Sequence, residues 1–141
     1  MTSTTSPKQA TIEIHDAFSK NQFDKVLVLC HDDVVVNAYA FGAVFKGKDG
    51  FKDFMQSFKS AFPDVVITHK NIIAEGNNVA VEFTGKGTHT GALQTPAGAI
   101  PATGKTVELT VAEFMVWENG KLKSLHNYQD AGSLLRQIGA M

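Results

Sequence analysis

The stretch Thr106–Asp130 reads TVELTVAEFMVWENGKLKSLHNYQD. Val107, Leu109, Val111, Met115 and Trp117 fall on every second position, the period of a strand with one buried face. Asn119-Gly120 follows, a dipeptide suited to a two-residue hairpin turn because both residues tolerate positive φ. Lys121–Asp130 then returns as a last strand. A hairpin with one apolar face needs more strands beside it and a layer to cover it.

Upstream, Val65–Ala74 and Val79–Thr90 have strand character, and Glu75-Gly76-Asn77-Asn78 turns one into the other. Val81 and Phe83 alternate with Glu82 and Thr84. Gly91–Lys105, rich in Gly, Ala, Pro and Thr, is expected as a long irregular loop of the kind that forms a lid or rim. Earlier still, Phe51, Phe54, Met55, Phe58 and Phe62 share one helix face, and Pro63 ends that helix. Such a face is core, and it is also suited to wall a pocket. Val34–Ala40 reads as a strand and Asp24–Leu29 as a short helix. Ser6, Pro7 and Gln9 mark the start of a helix whose stripe is Ala10, Ile14, Ala17 and Phe18. At the far end, Gly132–Ile138 closes the chain as a short helix. Helices first and hairpin-linked strands afterwards give an α+β fold in one domain over residues 1–141, with residues 1–6 as a disordered tail.

Composition narrows the partners. A net charge of −1 over 141 residues provides no broad field for nucleic acid or an anionic membrane. No apolar run approaches the ~20 residues of a membrane span, and Met1–Pro7 lacks an apolar signal core, so a cytoplasmic location is the default expectation. The single cysteine, Cys30, lies in apolar sequence and reads as a buried, inert thiol.

Ala61–Phe62–Pro63–Asp64, Ala74–Glu75–Gly76–Asn77, Gly87–Thr88–His89–Thr90–Gly91, Thr103–Gly104–Lys105, Asn119–Gly120–Lys121 and Leu134–Leu135–Arg136–Gln137–Ile138–Gly139 form an ordered set. With it the chain resembles the SnoaL-like polyketide cyclase (ester cyclase) family of the nuclear-transport-factor-like superfamily. The resemblance implies a cystatin-like cone, a bent antiparallel sheet packed on N-terminal helices around an apolar pocket. It also implies a small apolar or polyketide-like ligand, ring closure by intramolecular aldol chemistry without cofactor or metal, and a homodimer through the sheet. In that family an acid/base aspartate stands on the last strand, and ungapped matching of Lys121–Gly139 puts its position at Asn127. The family's pocket histidine falls, in the same register, on Glu113. An amide does not exchange a proton near neutral pH as a carboxylate does, so this chain departs from the pattern at both places.

The residues themselves point to the same two positions. Glu113 has the parity of Val111 and Met115, so it faces the apolar side, where a carboxylate needs a partner or a raised pKa. It reads as a pocket acid or base, or else as an edge or subunit contact paired with a lysine. Asn127 shares parity with Leu125 and Gln129, and reads as a donor to a carbonyl or enolate oxygen, or as a core amide. Asp130 is a third candidate base, but its place before Gly132 and Leu134 fits an N-cap better. His126 and Tyr128 point the other way.

His89 is expected at the pocket mouth, or else in a structural role. Asn37 and Tyr39 are expected to add polar contacts, and Phe54, Phe58, Val111, Met115, Trp117 and Leu125 to wall the pocket. His15, His31 and His69 are scattered in sequence and form no metal motif. Three functions remain open: a cyclase of this family, a non-catalytic small-molecule binder or association module, and an isomerase or hydratase on the same scaffold.

Overall fold

The computed structural model describes residues 5–141; residues 1–4 of the expected tail lie outside it. Ser6 is already ordered as a cap, its Oγ accepting from Gln9 N at 3.1 Å to open helix α1, Pro7–Ser19. Helix α2, Phe23–Val28, follows, then strand β1, Cys30–Ala38. The expected strand Val34–Ala40 thus begins earlier and ends earlier, because Tyr39–Phe41 tighten into a 3-10 turn that Gly42 closes at φ 65°. A strand absent from the sequence reading, β2 (Ala43–Lys46), pairs back on β1. Its four residues are too few to show a period.

Helix α3, Gly47–Ala61, carries the phenylalanine face. Strands β3 (Val66–Glu75) and β4 (Asn78–Thr88) form the first long hairpin. The segment Gly91–Lys105 is less irregular than expected, since β5 (Leu93–Thr95) and β6 (Gly98–Ile100) pair within it as a small hairpin. Strands β7 (Thr106–Glu118) and β8 (Lys121–Gln129) form the second long hairpin, with Asn119 and Gly120 at φ 52° and 75° in the turn. Asp130 caps helix α4, Ala131–Gln137.

The main curved sheet has the order β2-β1-β8-β7-β4-β3. Every pair in it is antiparallel except β1·β8, which runs parallel, so the sheet is mixed where a purely antiparallel one was expected. Along β7 the odd positions from Val107 to Trp117 are all buried, which is the parity that period two requires. Helices α1 and α3 lie over that face. One core cluster gathers Ile14, Phe18, Phe51, Phe54, Met115, Trp117 and Leu125, and a second gathers Phe62, Val81, Phe83, Leu109, Val111 and Leu134. Between the two clusters the interior does not close.

Candidate functional site

Register puts the central pair in place. Glu113 on β7 stands directly opposite Asn127 on β8, and side chains so placed on one sheet face meet. Asn127 Nδ2 donates to Glu113 Oε2 at 2.8 Å, and Gln129 Nε2 donates to Asn127 Oδ1 at 3.2 Å. The other carboxylate oxygen, Oε1, lies 2.7 Å from His15 Nε2 on α1. His15 Nδ1 in turn lies 2.8 Å from His69 Nε2 on β3. A buried carboxylate without partners would be costly; here Glu113, 6% exposed, has a partner on each oxygen.

Glu113, Asn127, Gln129 and His15 border a hollow with about 100 Å³ open to the centres of water-sized molecules, and His69 stands behind His15. A single water needs roughly 10–15 Å³ by that kind of measure, so the space takes a small organic molecule or several waters. Its wall is apolar: Phe18, Phe51, Phe54, Phe58, Phe62 and Phe83 supply rings, and Val111 and Leu125 supply aliphatic surface. His15, Glu113, Asn127 and Gln129 are the polar side chains among the lining residues. A mostly apolar wall with a few convergent polar groups is ligand-site anatomy.

Several expected lining residues stand elsewhere. Met115 and Trp117 have the inward parity but sit deeper, in the core, where Thr11 Oγ1, donating to Pro7 O at 2.8 Å, accepts from Trp117 Nε1 at 3.2 Å and lies 3.6 Å from Met115 Sδ. Asn37 alternates out of phase with buried Val36 and Ala38, and so lies on the opposite sheet face. Tyr39 is 49% exposed and stacks on Tyr128 at 4.9 Å, outside the hollow. Asp130 spends its side chain on Ser133 N at 3.0 Å, the capping role.

His89 is fully buried and does not border the hollow. Its Nδ1 bonds Thr103 Oγ1 at 2.9 Å and accepts from Thr103 N at 3.3 Å, while its backbone bonds Lys105 O and Gly104 N. It ties both ends of the Gly91–Lys105 segment together. Because Nδ1 accepts from an amide, the ring proton belongs on Nε2, which has no partner among the described residues. Cys30 is held inert: burial pushes its thiol up to about 12.

Of the three histidines expected to be scattered, His15 and His69 meet, whereas His31 stands apart with its Nε2 3.1 Å from Glu118 O; sequence signals for the first two exist. Thr11, Ile14, His15 and Phe18 have offsets 0, 3, 4 and 7, so His15 rides the apolar stripe of α1. On β3 His69 has the inward parity of Val65 and Ile67. A bulge at Lys70 then shifts the phase, and Ile72 resumes the inward face. Burial, first, and neighbouring His15 hold His69 below the usual histidine range, against the pull of Asp16 and Glu113.

Fold and site together define an α+β cone protein with a largely apolar hollow between its helices and its curved sheet. The sequence model of the SnoaL-like polyketide cyclases matches residues 9–138, and the chain belongs to that family. No curated protein matches the sequence. Among solved structures, a candidate SnoaL-like polyketide cyclase from Jannaschia sp. CCS1 superposes with TM-score 0.83 at 16% identity, covering 99% of each chain. AclR, a candidate hydroxylase from Streptomyces galilaeus, gives 0.81 at 21%, covering 96% of each. TerC, co-crystallised with polyporic acid, gives 0.73 at 19%, covering 94% of this chain and 98% of its own. These likenesses show the nuclear-transport-factor-like fold.

Proposed function

We propose that this protein works as a single-domain enzyme that performs proton-transfer chemistry on a ketone-bearing, polyketide-like substrate, with Glu113 as acid and base. One observation carries the reading: a carboxylate with partners on both oxygens borders a mostly apolar hollow. In such a setting a carboxylate is shielded from water, and its partners fix its position before substrate arrives.

The chemistry is redox-neutral. Glu113 takes a proton from the carbon α to a ketone, leaving an enolate. That carbon attacks a second carbonyl carbon of the same molecule, a C–C bond forms, and the opened C=O becomes an alkoxide. The proton on Glu113 then passes to the alkoxide oxygen. Asn127 carries two amide hydrogens and uses one on Glu113; the other is available to the enolate oxygen. This divides the family's acid–base work differently: the carboxylate stands on β7, and the amide takes the position of the family aspartate. The ligand of TerC supports an oxygenated aromatic or poly-ketone substrate.

The test uses a panel of linear poly-β-ketone and 1,3-diketone thioesters. Glu113→Gln should cut turnover by about 10²–10⁴-fold, the usual worth of a general acid–base, while ligand binding persists. Unchanged turnover would remove Glu113 from the chemistry. The second reading, a non-catalytic binder, is favoured by the fact that the nitrogens of His15 and the oxygens of Glu113 are already engaged with one another and their neighbours. Binding of the panel by wild type without turnover would select it.

For the homodimer we propose the outer sheet face, where Tyr39, Phe114 and Tyr128 are exposed and His126 packs edge-on against Tyr39. Sedimentation of a Tyr128→Glu variant checks this, with dissociation expected.

A further inference from the structure

His69 touches the proposed centre, yet the chemistry above makes no use of it. The line His69 Nε2···Nδ1 His15 Nε2···Oε1 Glu113 has spacings of 2.8 and 2.7 Å. The two imidazole rings stack, centroids 5.0 Å apart, and Phe83 packs on His15 at 4.6 Å. His15 and Glu113 are buried, whereas His69 is only half-buried. The line therefore runs from the hollow to a half-buried ring on the inner face of the edge strand β3. The bulge at Lys70 makes His69 the last inward residue before the phase changes.

For an ionised Glu113 and a neutral His15, hydrogen-bond logic assigns the proton positions. A carboxylate only accepts, so His15 donates through Nε2. Neutral His15 then accepts through Nδ1, and His69 must donate through Nε2. Facing groups are His15 and Asp16 on α1 and Glu113 on β7. On β4 the register partner of His69 is Phe83, which has no charge, and Glu82 is occupied by Asn71 Nδ2. Imidazole passes a proton by taking one on one nitrogen and releasing one from the other. A proton entering at His69 Nδ1 releases the Nε2 proton to His15 Nδ1, and His15 releases its Nε2 proton to Glu113. Three bonds to hydrogen form and three break, with one proton moved.

We propose that His69 is the solvent-side member of a relay, His69–His15–Glu113, through which the proton held by Glu113 exchanges with solvent while the hollow is occupied. His69 is thus a positioning residue acting through His15, and the proposal rests on Glu113 being the acid–base group.

The experiment uses full-length protein labelled with ¹⁵N-histidine. Ring-nitrogen shifts read the tautomers, and transfer into D₂O reads exchange of the His15 Nε2 proton. His69→Gln keeps a donor toward His15 Nδ1 but cannot relay a proton; His69→Phe removes both functions. The relay predicts Nε2-protonated His15 and His69 in the wild type. His69→Gln should retain the His15 tautomer but slow exchange by at least about tenfold, a deficit of the size that loss of a proton-transfer group produces. His69→Phe should also disturb the tautomer. Wild-type exchange in His69→Gln, or Nδ1-protonated neutral His69, overturns the relay. Deuterium uptake by benzoylacetone, above its rate in buffer, is measured alongside. If wild type does not accelerate that uptake, the acid–base reading of Glu113 fails, while the exchange rates still decide the relay.

Discussion

Changing Asn127 to aspartate places a second carboxyl group where the amide nitrogen now lies 2.8 Å from a Glu113 oxygen. Two charges at that distance repel by about 6 kcal/mol at an effective dielectric constant near 20. The alternative is to hold one proton between the carboxyls. At pH 7 that costs about 4 kcal/mol, since each unit above an ordinary carboxylate pKa near 4 costs about 1.4 kcal/mol. The second route is cheaper, so the Asn127→Asp protein should fold with a shared proton, as paired carboxylates do. The folded variant then binds a proton more tightly than its unfolded chain does. That stabilisation is complete below about pH 4 and is lost as pH rises toward the raised folded value.

Near pH 4 the variant should match wild type, because an O–H···O bond replaces the N–H···O bond. By pH 7 it should be about 4 kcal/mol worse, which for a chain of this length lowers the melting temperature by about 12–16 °C. Thermal unfolding from pH 4 to 8, followed through buried Trp117, measures the difference. A gap that stays flat across this range would show that residue 127 does not face the Glu113 carboxylate, and the site as described would be wrong.

Three other outcomes follow from particular contacts. Gly91→Ala puts a Cβ 1.8 Å from Ser60 O, so the Gly91–Lys105 segment must lift off the end of α3; the cost is about 1–3 kcal/mol by denaturant unfolding. Lys59 is buried, with its Nζ on Ser19 O at 3.2 Å and Val65 O at 3.3 Å; Lys59→Met removes both donors, and a loss of about 1–3 kcal/mol is expected in the same assay. Because His69 is held below the ordinary histidine range, the unfolded chain binds protons more readily near pH 6. Its contribution to stability is therefore lost as pH falls from above the unfolded value of about 6.5, and His69→Gln should flatten the fall in melting temperature between pH 7.5 and 5.5.

Much of the architecture could be read from local pattern. The strand period over Thr106–Trp117, the Asn119-Gly120 turn and the phenylalanine face of α3 each depend on residues within a few positions of one another, so each is written in the sequence. Short β2, β5 and β6 were not legible, since three or four residues show no periodicity. The inward parity of Glu113 and Asn127 could be read from their strands, and their contact then follows from hairpin register. Met115 and Trp117 share that parity yet lie in the core, because parity tells which face a side chain takes but not how deep it sits. Only the tertiary structure decided who meets Glu113 from the helical side. His15 is 98 positions from Glu113 and 54 from His69, and their meeting depends on α1 crossing the sheet at the place where a bulge ends the inward run of β3. No local periodicity contains that crossing; it is set by the packing of the whole apolar face.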